Sequence, residues 1–100
     1  MKIRILDEAI SDLRLGAQFY EDQSAGLGAY FLDTLFSDIE SLHLYAGVHI
    51  QFEGFYRLLS KRFPFAVYYQ MDGDVILIYA VLDCRRNPAT NIDLLTGRRT

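Results

Sequence analysis

The chain has 100 residues, 51% of them apolar and 23% charged, which is enough for one domain with its own core and too apolar for a disordered segment. No run approaches the ~20 apolar residues of a membrane span, the opening Met-Lys-Ile-Arg-Ile-Leu-Asp-Glu is too charged for a secretory leader, and a net charge of −3 opposes non-specific binding to nucleic acid. One cysteine, Cys84, and two histidines, His43 and His49, exclude an internal disulfide and fall at no metal-ligand spacing. A cytoplasmic protein with no metal and no cofactor is expected.

Lys2-Ile3-Arg4-Ile5-Leu6 alternates charged and apolar residues and breaks at Asp7, the pattern of a short half-buried strand ending at a helix N-cap. From Glu8 to about Gln23, Ile10, Leu13, Ala17 and Tyr20 recur at steps of three and four, with Asp12, Arg14, Glu21 and Asp22 on the opposite side, so one face of a helix is buried. Ser24-Ala25-Gly26-Leu27-Gly28 supplies a capping hydroxyl and two glycines for a helical hairpin. The second helix is expected over Ala29 to Leu44, with Phe31, Leu35, Ile39 and Leu42 inward, Leu32 and Phe36 widening that stripe, and Asp33, Asp38 and Glu40 solvated.

Tyr45 to Gly54 has no clear period and reads as a connection with at most a few extended residues. Three strands follow, Phe55–Ser60, Phe65–Gln70 and Val75–Leu82, the last two joined by a hairpin at Asp72-Gly73. Val75 to Leu82 is apolar without alternation and should be central, covered on both faces. Lys61-Arg62-Phe63-Pro64 is the turn between the first two strands, and a short helix is expected around Thr90 to Leu95. The fold class is therefore α+β: an N-terminal strand, a two-helix hairpin, then a three-stranded antiparallel meander with both helices on one sheet face, all in a single domain over residues 1–100.

Charge divides unevenly along this order. Residues 1–55 carry three basic against nine acidic side chains, and residues 56–100 seven against four, giving −6 and +3. The second half thus presents a local basic surface on an acidic protein.

In the same order, Ala9-Ile10-Ser11-Asp12-Leu13 with Phe19-Tyr20-Glu21, Gly26-Leu27-Gly28 with Phe31, Tyr56-Arg57, Arg62-Phe63-Pro64-Phe65 with Tyr68-Tyr69, and the run Ala80 to Pro88 containing Asp83-Cys84-Arg85-Arg86 resemble the RelE/ParE superfamily. These are small bacterial toxins of type II toxin–antitoxin pairs, often called plasmid-stabilisation proteins. The resemblance covers most of the chain and implies this fold and a cognate antitoxin whose extended or helical segment wraps the toxin. With no apolar span and a net charge of −3, no contact with a membrane is expected, and contact with free DNA only through the antitoxin complex. ParE-like members inhibit DNA gyrase, whereas RelE-like members cleave mRNA on the ribosome with basic side chains of the sheet.

Carried over one position at a time, Arg57 and Arg86 keep cations of the nuclease set, while Leu59, Ala66 and Ile92 stand where a lysine, an arginine and a tyrosine are expected. Leu44 to Ile50 also departs from relatives that place a proline after the second helix. Arginine stays protonated near neutral pH and is a poor proton donor or acceptor, so the two survivors can hold a phosphate but hardly run the proton transfers. The reading is therefore a ParE-like inhibitor, with mRNA cleavage by Arg57 and Arg86, or a non-toxic member of the fold, as alternatives. Arg57, Lys61, Arg62, Tyr68, Arg85 and Arg86 are the candidate partner-binding residues. One of Arg85 and Arg86 is expected to bond Asp83 or a helix carboxylate, and only one of Tyr68 and Tyr69 can face away from the helices. Cys84 is read as a small packed side chain without a base beside it.

Overall fold

In the computed structural model, which describes residues 1–99, the alternating opening residues form β1 (Lys2–Ile5) and pass directly into α1 (Asp7–Gln23). Leu6, not Asp7, holds the N-cap position, and Asp7 and Glu8 sit in the first turn beside the positive end of the helix dipole. The buried stripe of α1 is Ala9, Leu13, Gly16 and Tyr20, rotated slightly from the expected Ile10-Leu13-Ala17-Tyr20. The reason is Gly16, where a Cβ would lie 2.6 Å from Cζ of Phe31, so the missing side chain lets the second helix press against the first.

The hairpin then turns through Gly26 at φ +88° into α2 (Leu27–Glu40). Ser24 does not cap it. The Glu21 carboxylate does so instead, accepting the amides of Gly26 and Gly28 at 3.0 Å, so Glu21 is a capping group rather than a solvated charge. Phe31, Leu35 and Ile39 are buried as expected, and Leu42 continues the stripe from a separate short helix, α3 (Leu42–Tyr45). Phe36 is exposed, whereas Asp38, expected in solvent, is buried and accepts the Ser60 hydroxyl at 2.7 Å.

Among the described residues the sheet has five strands, one more than the four expected. Its order is β1-β5-β4-β3-β2, with β2 Ile50–Phe52, β3 Phe55–Leu59, β4 Phe65–Asp72 and β5 Val75–Asp83. β1 lies parallel to β5 and the other pairs are antiparallel, so the sheet is mixed. β2 falls inside the stretch read as a connection, and its turn is Glu53-Gly54, both at positive φ (52° and 82°). That is type I′ geometry without the usual Asn or Asp, which hid it. Asp72 pairs with Val75, so the last hairpin turns on Gly73-Asp74. Central β5 is covered on both faces, as its unbroken apolar run requires.

The second face is covered because the tail forms a longer helix than expected, α4 (Pro88–Arg98). The Asn87 side chain caps it by accepting the Ala89 amide at 2.9 Å, and Pro88 occupies the first turn. α4 packs against β5 and sinks Leu95 among Phe55, Ala66, Tyr68, Ala80 and Leu82, a second apolar cluster apart from the one under α1 and α2. The expectation that helices cover one face only is corrected accordingly. Among the described residues no helix is long and apolar enough to cross a membrane, and no cluster of three or more metal-ligating side chains occurs.

β1 is shorter than β5, which leaves backbone groups of β5 unpaired beyond Ile78. The gap is closed by Asp12 of α1, which accepts the Val81 amide at 2.9 Å, and by Arg98 of α4, which donates to the Tyr79 carbonyl at 3.2 Å. Arg98 and Asp12 also bond each other at 2.5 and 3.0 Å, joining the layers on the two sheet faces past the end of the edge strand.

Candidate partner-binding groove

Alternation along β3 and β4 decides which candidates share a face. Arg57 lies opposite Tyr68, and both project to the α4 side, while their neighbours Tyr56 and Tyr69 stack in the core under α1 and α2 with ring centroids 5.1 Å apart. The division of the two tyrosines expected from their adjacency is thus present. Tyr68 is 3% exposed, however, and offers only its hydroxyl to the surface groups around it.

α4 stands over β5 and leaves the Arg57 end of β3 open. There Arg57 Nε donates to the Tyr68 hydroxyl at 3.1 Å and Nη2 to Cys84 Sγ at 3.4 Å, with the guanidinium 6.0 Å from the ring centroids of Phe52 and Tyr68. Partial burial works against the charge, and the Tyr68 hydroxyl and Cys84 sulfur outweigh it, so the Arg57 pKa is raised. A cleft of about 230 Å³ runs from Phe52 and Arg57 past Tyr68 and Cys84 to Arg86 and Asn91. It continues around Arg57 and Phe52 into a more apolar groove of about 440 Å³ along Val48, Ile50 and Leu59.

Among the six sequence candidates, Arg57, Tyr68 and Arg86 therefore meet in one cleft. Among the described residues no carboxylate lies within ion-pair distance of Arg57 or Arg86. Arg85 is the member of the arginine pair that bonds Asp83, at 2.8 and 3.0 Å, and this holds the Asp83 carboxyl below its ordinary value against the opposing effect of burial. Lys61 and Arg62 lie elsewhere: they are exposed in the turn before Pro64 and line a depression with Asp33 and Asp38 of α2. Cys84 is half-buried and accepts from Arg57, a closer tie to the site than simple packing.

Sequence reasoning passed over three residues of this region. Phe52 was hidden with the rest of β2. Asn91 is buried, donating from Nδ2 to the Asp83 carbonyl at 3.0 Å while its Oδ1 has no partner among the described residues, and nothing in its local sequence marks it. His49 lies in the loop before β2, as expected, but is half-buried: its Nδ1 lies 2.5 Å from the Tyr69 hydroxyl, while that hydroxyl accepts the Gly47 amide at 3.0 Å. Burial lowers the His49 pKa and raises that of Tyr69.

Chemically, the groove offers two lasting cations between apolar walls. Such a site holds a carboxylate or a phosphate and packs apolar groups beside it. Arginines do not exchange protons near neutral pH, so the pair supplies charge stabilisation alone.

No family model matches the sequence, and no curated protein matches it. Among solved structures the chain is similar to one titled as a chromosomal ParDE TA system from P. aeruginosa, with a TM-score of 0.70 at 18% identity over 81% of this chain and 92% of that one. The α+β fold expected from the RelE/ParE resemblance is the fold observed.

Proposed function

We propose that this chain is the toxin of a type II toxin–antitoxin module, held inactive by a cognate antitoxin and acting on its target by contact rather than by chemistry. The observation that carries the reading is the shared fold with a chain of a ParDE toxin–antitoxin system. Three features support a ParE-like, gyrase-inhibiting mode over mRNA cleavage. The cleft gathers Arg57 and Arg86, while on the resemblance Leu59, Ala66 and Ile92 stand where a nuclease needs polar groups. Leu59 is exposed and Ala66 buried, so neither position contributes a charge to the sheet surface. Arg57 is engaged with Tyr68 and Cys84 and serves as an anchor for an anionic group of a protein partner. In this reading Arg57, Tyr68 and Arg86 contact a partner, and Lys61, Arg62 and Arg85 form secondary basic contacts in the cytoplasm of a bacterium.

The test is induced expression of the chain in a bacterial host, with DNA and protein synthesis labelled separately, alongside supercoiling assays with purified protein. Arrest of DNA synthesis with loss of supercoiling is the expected result. Arrest of translation with new mRNA ends that depend on Arg57 and Arg86 would replace this reading with the nuclease one. Normal growth would leave a non-toxic member of the fold.

A further inference from the structure

The two edges of the sheet are treated differently. β1 points Lys2 and Arg4 into solvent at alternate positions, a charge pattern that discourages pairing with another strand. β2 has no such protection: its sequence is Ile50-Gln51-Phe52, and no Asp, Glu, Lys or Arg occurs between Glu40 and Glu53. Within that uncharged stretch Leu44, Tyr45, Val48 and Ile50 are 81%, 56%, 72% and 82% exposed. An unguarded strand edge with the exposed apolar side chains of Val48 and Ile50 beside it is a pairing surface.

We propose that β2 pairs antiparallel with β2 of a second copy of this chain, making one continuous ten-stranded sheet across a twofold axis. The two-residue turn Glu53-Gly54 makes Phe52 and Phe55 the hydrogen-bonded pair that closes the hairpin. Alternation then turns the amide and carbonyl of Gln51 outward, to the free edge. Centred on Gln51, the pairing lets the two Gln51 residues exchange both backbone bonds, and Ile50 of each copy lies opposite Phe52 of the other on the same face. The register also sets His49 of each copy beside Glu53 of the other. This is the self-complementarity an isologous interface needs.

Charge permits it. The stretch brings no fixed charge to the axis, and the two Arg57 Cα atoms, three strand spacings apart across the sheet and about two residues apart along it, are separated by about 16 Å, beyond the ~10 Å screening length at ordinary salt. A specific interface needs roughly 600 Å² from each partner, and the bare strand together with the apolar groove of Val48, Ile50, Leu58 and Leu59 beside it is the surface the second copy covers. The second copy also supplies the missing wall of the groove along Val48, Ile50 and Leu59. This inference is independent of the proposed toxicity.

The experiment is sedimentation of the full chain from low micromolar to several hundred micromolar, with amide hydrogen exchange at both ends of the range. The expected result is a reversible dimer, with exchange at Gln51 roughly tenfold slower or more at the high end. Ile50→Lys abolishes the dimer and leaves the far-UV circular dichroism and melting curve of the monomer intact, since Ile50 is outside the core. Leu15→Lys, at a comparably exposed site on α1, leaves the dimer in place. A monomer throughout, a dimer that survives Ile50→Lys, or a dimer without concentration-dependent protection at Gln51 would overturn the proposal.

Discussion

Replacing Asp12 with alanine should be among the most destabilising single changes in the molecule outside the apolar core. The side chains of Asp12 and Arg98 are only 10% and 15% exposed, and one carboxylate serves three donors: Arg98 Nη1, Arg98 Nη2 and the Val81 amide. Asp12→Ala leaves a nearly buried guanidinium without its counter-charge, a loss of about 3–5 kcal/mol when such a pair is broken from one side. It also orphans the Val81 amide, a group whose desolvation costs about 1–3 kcal/mol. The two effects overlap because a water entering the gap relieves both, so a total of about 3–4 kcal/mol is expected. For a domain of this size that corresponds to a fall in Tm of roughly 15–25 °C. Asp12→Asn keeps an acceptor for the Val81 amide and should lose about half as much. Asp12→Ala combined with Arg98→Met should be no worse than Asp12→Ala alone, because the stranded charge is gone. Urea unfolding followed by circular dichroism measures all three. A loss below about 1 kcal/mol for Asp12→Ala, or strict additivity in the double variant, would refute the claim that this pair closes the sheet edge.

Three further outcomes follow from the same geometry. His49 takes up protons less readily when folded, so the unfolded chain binds more protons around its ordinary pKa of 6.5 and stability rises with pH there. Its share is fully present above that value and is lost as pH falls through the lower folded pKa. His49→Gln should flatten this limb of the stability profile, and an imidazole titration by NMR with a midpoint at or above 6.5 would contradict it. Gly28→Ala should destabilise by more than Gly26→Ala: a Cβ at Gly28 would lie 2.6 Å from the Ala17 carbonyl, a backbone atom of α1, whereas at Gly26 nothing lies within 4 Å and only the positive φ is strained. The expected losses are about 3 against about 1 kcal/mol, read from thermal melts. Glu21→Ala removes the acceptor for two amides at the start of α2 and should cost about 1–2 kcal/mol, with faster exchange at Gly26 and Gly28; unchanged exchange at both amides would dismiss the capping role.

Much of this architecture is written locally. The stripe Phe31-Leu35-Ile39-Leu42, the two glycines of the helical hairpin, the unbroken run of β5 and the glycine turn before it each follow from the geometry of one element, and their order carries the RelE/ParE resemblance, whose expected fold is the one observed. Periodicity reports which side of an element is buried, but not what buries it. The sequence therefore could not say that β1 pairs parallel with β5, that Ile50–Phe52 is an edge strand, or that Pro88–Arg98 covers the second face. The same limit governs the charged residues. Glu21, Asp38 and Asp12 look alike on a helical wheel, yet one caps a helix, one is buried against Ser60, and one closes a sheet edge, because their partners lie 5, 22 and 86 residues away. Arg57 and Arg86 were legible as cations on a basic half of the chain. That they share a cleft with Tyr68 and Cys84, while Arg62 faces α2 and Arg85 is tied to Asp83, was decided only when strand alternation and the α4 packing fixed which face each side chain takes.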